Sequence, residues 1–367
     1  MRMYLNRYLL ILFALTASSA NLAHATPANK PKVLIYSAVD IQYVADSLPF
    51  WGNNVGVNGF ILSYLADWST SKTVLFRNVD LLKKINAQGK DYDIDSNFIN
   101  VALGNGELPL WTDDKAWSVV IDDFKNIAEF AKQTGTKGIA LDTEPYTVPL
   151  FAPDAARFKS VDRARMKAKT YQRGQEIMQA LVKVYPDIEI IILPEGAYYW
   201  FNPDQGSNAA AFELWIDFYN GLASVKNNKG IIVATERTYD VTNKFSLSKI
   251  STLLEETMLE NVADPVFWKD HCSIALGMWP LGKEYDNKAS KLSPSEFKRQ
   301  FTQAVALSPK YVWVYDHGSS WFQLTTGDVE KYTQGGRNIW GRDYQKLPTD
   351  PHIDDYYSVL REYKKSP

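Results

Sequence analysis

The stretch Lys137-Gly138-Ile139-Ala140-Leu141-Asp142-Thr143-Glu144-Pro145-Tyr146 alternates along its length. Gly138, Ala140, Asp142 and Glu144 share one phase; Ile139 and Leu141 share the other. A period of two predicts a β-strand, Gly138–Glu144, with one small or polar face and one branched apolar face. In a closed barrel the branched face of a strand meets surrounding helices, and the small face meets a crowded lumen. Other segments repeat the pattern. Gly230, Ile232, Ala234 and Glu236 oppose Ile231 and Val233. Ser273, Ala275, Gly277 and Trp279 oppose Cys272, Ile274, Leu276 and Met278. Asn100, Ala102 and Gly104 form a further small or polar set.

Outward from this stretch, runs rich in Val, Ile and Leu recur along the chain. They predict strands at Val33–Ala38, Gly59–Tyr64, Phe98–Gly104, Gly138–Glu144, Ile188–Leu193, Gly230–Glu236, Ser273–Trp279 and Tyr311–Tyr315. Helical spacing fills most of the gaps. Trp117, Val120, Ile121, Phe124, Ile127 and Phe130 mark a helix over Lys115–Thr134. Further helices are expected at Arg163–Tyr185, Ala211–Val225, Ser246–Asn261 and Ser293–Ala306. Ser246 reads as an N-cap, and Ser293-Pro294-Ser295-Glu296 as a capping box with proline at the first helical position. Strand and helix in alternation predict an α/β fold, a (β/α)8 TIM barrel forming one domain over residues 26–367. A doubly wound sheet would carry a Gly-rich phosphate turn after its first strand, where Ser37-Ala38-Val39-Asp40 stands instead.

Residues 1–25 read as a secretory signal peptide. Arg2 and Arg7 precede the apolar run Tyr8–Leu15, and Ala23-His24-Ala25 is a small-x-small cleavage signal. The expected product is exported to the periplasm or the medium, with no membrane anchor after cleavage. Composition narrows its partners. The 367 residues are 46% hydrophobic and 22% charged, which excludes a disordered chain. Forty Lys and Arg against 42 Asp and Glu leave a formal charge of −2, so no nucleic-acid partner is expected. The single cysteine, Cys272, excludes an internal disulfide and a multi-cysteine metal site. With four histidines and no His-Glu-x-x-His helix, no metal and no cofactor are expected. The sequence specifies no oligomeric state.

Chemistry in a barrel belongs at the C-terminal ends of the strands. Asp142 and Glu144 are two apart in the inward phase of the fourth strand. Two like charges so placed disfavour double ionisation and raise one pKa, which makes a proton donor for a glycosidic oxygen. Glu236, ending the sixth strand in the same phase, is the candidate second carboxylate across the mouth. Glu195 follows the fifth strand and is assigned to substrate binding. Asp40 and Asp316 are weaker candidates, and His317 is placed in phase with Trp313 and Tyr315. Rings gather at the same ends: Tyr146, Tyr198 with Tyr199 and Trp200, Tyr239, Trp279, Trp313 and Tyr315, and Trp321. A ring stacks on the C–H face of a pyranose while polar groups bind its hydroxyls. Tyr146, Tyr198, Tyr239, Trp279, Trp313 and His317 are therefore assigned, with Glu195, to substrate binding. Trp279 and Tyr146 are the best stacking platforms. Asp316, His317 and Ser319 lack a Gly-x-Ser-x-Gly elbow, which argues against a serine hydrolase.

Gly138-Ile139-Ala140-Leu141-Asp142-Thr143-Glu144 resembles the fourth-strand motif of chitinase-type (family 18) glycoside hydrolases, Asp-Gly-x-Asp-x-Asp-x-Glu. Asp142 and Glu144 fall on its last Asp and its Glu, while Lys137 and Ala140 replace the first two Asp residues. The resemblance implies Glu144 as general acid and Asp142 as its electrostatic partner. At fold level the chain resembles secreted barrel glycoside hydrolases more widely. The expected function is a glycoside hydrolase cleaving an O-glycosidic bond in an oligo- or polysaccharide, with Glu144 as acid and Glu236 as nucleophile or base. The alternative is a catalytically inactive, lectin-like barrel that binds carbohydrate. Carboxyls about 5 Å apart would retain anomeric configuration, and about 6.5–9.5 Å would invert it.

Overall fold

The computed structural model describes residues 30–37, 40–104, 106–202, 209–239, 241–282, 292–316, 321 and 351–366. The expected signal peptide, residues 1–25, and His317 lie outside the described residues. Eight strands form the sheet: β1 (Lys32–Ser37), β2 (Gly59–Asp67), β3 (Phe98–Ala102), β4 (Gly138–Asp142), β5 (Glu189–Leu193), β6 (Ile231–Thr235), β7 (Ser273–Met278) and β8 (Tyr311–Asp316). Each pairs in parallel with the next, and β8 returns to β1, closing the barrel. Helices at Asp114–Thr134, Arg163–Val184, Trp215–Ala223, Lys244–Asn261 and Pro294–Leu307 occupy the expected gaps between strands. This is a (β/α)8 TIM barrel.

The phase argument separates two cores. Leu34, Tyr36, Ile61, Phe98, Ala140, Ile191, Leu193, Ile232, Ala234, Ala275, Tyr311 and Trp313 cluster in the lumen. The residues between them, including Ile139, Leu141, Ile231, Val233, Ile274, Leu276 and Met278, belong to the larger cluster between sheet and helices. At the N-terminal end of the lumen Glu189 is buried. It accepts a hydrogen bond from the Tyr311 hydroxyl at 2.9 Å and pairs with Lys310 at 2.9 Å and Lys137 at 3.5 Å. Small residues admit large neighbours: a Cβ on Gly277 would lie 2.7 Å from the Trp313 ring.

Local boundaries differ from the expectation for identifiable reasons. β4 ends at Asp142 and β6 at Thr235, so Glu144 and Glu236 stand just beyond the sheet. Their backbone N–H groups are taken by side chains, Asp142 Oδ1 at 3.0 Å and Glu195 Oε2 at 2.8 Å, rather than by a neighbouring strand. The helix after β6 begins earlier than the Ser246 signal implied. Its N-cap is Asn243, whose side chain accepts the Phe245 N–H at 2.9 Å. The Ser293 capping box is present as read. A final helix, Ile353–Lys365, runs along the outside of the barrel, packed on the helix Pro294–Leu307 and the turn Phe50–Val55, with its C-terminal end bonded to loops at the N-terminal ends of the strands. Tyr363 donates to the Pro31 carbonyl at 2.9 Å, Lys364 donates to those of Gly52 and Tyr92, and Arg361 donates to that of Asn54. Among the described residues, no helix is long and apolar enough to cross a membrane.

Candidate active site at the barrel mouth

Asp142 is 1% exposed at the end of β4. Its Oδ1 accepts the Glu144 N–H, which folds the chain back so that both side chains stay at the mouth. Its Oδ2 accepts the Tyr146 hydroxyl at 3.0 Å and the Tyr36 hydroxyl at 3.4 Å. Burial, then the charge of Glu144, push Asp142 up to about 7 against these bonds. The Glu144 backbone is clamped from β3. A Cβ on Gly104 would lie 1.8 Å from the Glu144 carbonyl oxygen, so only glycine lets the chain pass there. From the other side, Thr143 donates its N–H at 2.6 Å and its hydroxyl at 2.8 Å to the Leu193 carbonyl.

Glu236 is half-buried at the end of β6. Burial, then the charges of Glu144, Asp142 and Glu195, lift it well above the usual carboxylate range, and a hydrogen bond from Tyr239 opposes the shift. The ends of β4 and β6 lie near enough for the charges of Glu144 and Asp142 to act on Glu236 at the barrel mouth. Phenols line it. Tyr146, Tyr199 and Tyr239 are all raised, chiefly by burial, with Glu144 and Glu236 among the causes for each. They remain protonated O–H donors at neutral pH. Tyr36, Tyr239, Trp279, Trp313 and Tyr315 form one aromatic wall. Tyr239 stacks on Tyr315 at 5.4 Å, and Trp279 meets both rings edge-on at 5.6 and 5.0 Å.

The structure thus brings Asp142, Glu144, Glu236, Tyr146, Tyr239 and Trp279 to one mouth. Tyr146 is 38% exposed there, whereas Trp279 is largely covered by its neighbours. Three assignments change. Trp313 is 1% exposed and donates its indole N–H to the Ala275 carbonyl at 3.3 Å, so it floors the hollow rather than offering a face to a sugar. Tyr198 is buried, and its hydroxyl is engaged by Arg237. The helix Gly196–Phe201 turns the next residue, half-buried Tyr199, toward the carboxylates. Glu195 is 0% exposed, with both oxygens accepting backbone N–H groups at 2.8 Å, and so does not reach a substrate. Asp40 caps the helix Ile41–Asp46 by accepting the Gln42 N–H at 2.7 Å. Sequence reading missed Tyr36, although its position two residues after Leu34 in the lumen phase of β1 was a usable signal. Among the described residues, no group of three or more His, Cys, Asp or Glu side chains is gathered to hold a metal ion.

No protein-family model matches this chain, and no curated protein matches it in sequence. Solved structures do match in shape. Domain 2 of a chitinase from Pyrococcus furiosus superposes with TM-score 0.50 at 10% identity, covering 93% of this chain and 98% of that one. D-psicose 3-epimerase from Clostridium cellulolyticum gives 0.48 at 10% identity over 91% and 98%. A GH18 chitinase from Pseudoalteromonas aurantia gives 0.45 at 13% over 79% and 95%. At such identities the likeness is one of fold: the chain is similar to these proteins in being a (β/α)8 barrel.

Proposed function

We propose that the protein is an exported glycoside hydrolase that cleaves an O-glycosidic bond of an oligo- or polysaccharide at the barrel mouth. The observation that carries this reading is the gathering of Asp142, Glu144 and Glu236 at the C-terminal ends of β4 and β6, beside the wall of Tyr239, Trp279 and Tyr315. Confined carboxylates hold a proton near neutral pH that an exposed carboxylate would release. Glu236, raised by burial and then by the charges of Glu144, Asp142 and Glu195, is the holder in this reading. As the glycosidic C–O bond breaks, Glu236 gives this proton to the departing oxygen, and the leaving sugar departs as an alcohol. Glu144 is the second carboxylate. It either attacks the anomeric carbon or takes a proton from the water that does. These roles are the reverse of those implied by the motif resemblance, because burial, and after it the charge of Glu144, lifts Asp142 and Glu236. Asp142 lies beneath and tunes both, while Tyr146, Tyr199 and Tyr239 offer hydroxyl donors to the sugar. Export rests on the signal-like residues 1–25; a secreted protein that still began at Met1 would remove cleavage from the proposal.

Digestion of a glycan panel with product identification tests the activity, and two isosteric variants test the roles. Glu236→Gln should lose about 10²–10⁴-fold on glycans yet keep most of its rate on aryl glycosides whose leaving group needs no proton. Glu144→Gln should lose activity on both. Full activity of either variant on glycans removes that residue from the mechanism. Glycan-induced thermal shifts without new reducing ends across the panel would make the barrel a carbohydrate-binding protein instead.

A further inference from the structure

We propose that Glu195 is a positioning residue for Glu236: its buried carboxyl captures the N–H groups of Glu236 and Arg237, sets the turn that aims Glu236 into the barrel mouth, and, when ionised, places a negative charge beside it. The ladder between β5 and β6 has its last paired residues at Ile192 and Val233. Beyond it, Glu195 extends the pairing with a side chain, Oε2 to the Glu236 N–H and Oε1 to the Arg237 N–H, each at 2.8 Å. The opposite side of the same turn is pinned to β7 and to the helix Pro294–Leu307. Thr238 donates to the Gly277 carbonyl at 2.8 Å, and Gln300 donates to the Thr238 carbonyl at 2.8 Å.

A fold that merely needed an acceptor here could have used a neutral one. Burying a carboxylate beside Glu236 is expensive: burial pushes Glu195 up to about 7 against its backbone hydrogen bonds and the nearby Arg237, and above that pH the ionised group offers both oxygens to two successive N–H donors. The groups facing Glu195 are Glu236, the Arg237 guanidinium, and the phenols of Tyr198 and Tyr199. Arg237 is exposed, so it offsets the Glu195 charge only weakly. When ionised, Glu195 acts on Glu236, its charge adding to those of Glu144 and Asp142.

The test uses the full chain with ¹³C-carboxyl-labelled glutamate, assigned with Glu236→Gln. In Glu195→Gln the Glu236 titration midpoint should fall by about one pH unit as a negative neighbour disappears. The Glu236 and Arg237 amides should exchange about tenfold faster or more. An unmoved midpoint and unmoved exchange in folded Glu195→Gln overturn the inference. If that variant does not fold, wild type decides. Both amide shifts should follow one common titration, that of the carboxylate they bond, and independent or absent titrations overturn it. The kinetic arm alone rests on the glycosidase reading: the limb of the pH–rate profile belonging to Glu236 should move to lower pH. A midpoint that falls in a protein that cleaves no glycan leaves the positioning role standing and removes the hydrolase.

Discussion

Asp142 shows how one residue ties stability to function. It is buried, it accepts three hydrogen bonds, and it still sits at about 7 because burial and Glu144 outweigh them. The native state therefore holds a proton between about pH 4 and 7 that the unfolded chain releases. Stability from this group is complete below its unfolded pKa and declines as pH rises toward 7. Asp142→Asn abolishes that decline. Relative to wild type it should gain up to about 4 kcal/mol between pH 4 and pH 8 in urea unfolding, even as activity falls. An equal stability difference at both pH values would show that the carboxylate is not strained by its charge. At this scale the acids were legible, since alternation alone puts Asp142, Glu144 and Glu236 in the inward phase. Their neighbours were less so. Pro194 breaks the phase after β5, so Tyr198 and Tyr199 could not be told apart until the short helix Gly196–Phe201 was seen. Trp313 reads like any inward ring, and only its burial makes it floor.

Between elements, the segment after β3 passes close against the turn after β4. The space for a Cβ on Gly104 is occupied by the Glu144 carbonyl oxygen, 1.8 Å away, so Gly104→Ala must push that turn aside. Overpacking of this kind costs about 1–3 kcal/mol. A displacement on the order of 1 Å at a reacting group lowers turnover about 100-fold. Urea midpoints and kcat together check this, and a variant unchanged in both would mean the loop yields freely. Element types were readable because β3, β4, β6 and β7 carry a period of two, β1 and β5 are short branched apolar runs, and the helix Asp114–Thr134 carries a 3.6-residue stripe. Ends were harder, because side chains compete for the terminal donors. Asp142 and Glu195 stop β4 and β6 short of Glu144 and Glu236, and Asn243 starts a helix before Ser246. Those competing side chains are the ones that shape the site.

For the whole molecule, two concentric cores share one sheet, and the last helix packs along its outside. Ile353, Tyr356, Tyr357, Val359 and Leu360 are buried by that helix. Burying each large apolar side chain contributes about 1.5–3 kcal/mol, so together they rival the roughly 5–15 kcal/mol of a typical domain. A chain ending at residue 350 should therefore lose its cooperative thermal transition in calorimetry; a sharp transition near the wild-type temperature would show the barrel closes without the helix. The pairing of β1 with β8 carries a further consequence. During synthesis Lys32–Ser37 leaves the ribosome early and must wait, one flank unfilled, until Tyr311–Asp316 follows it out. A nascent chain can build hairpin-like βα fragments in order, but the ring itself can only be sealed late, and a chaperone that shields that waiting strand has most of translation in which to act.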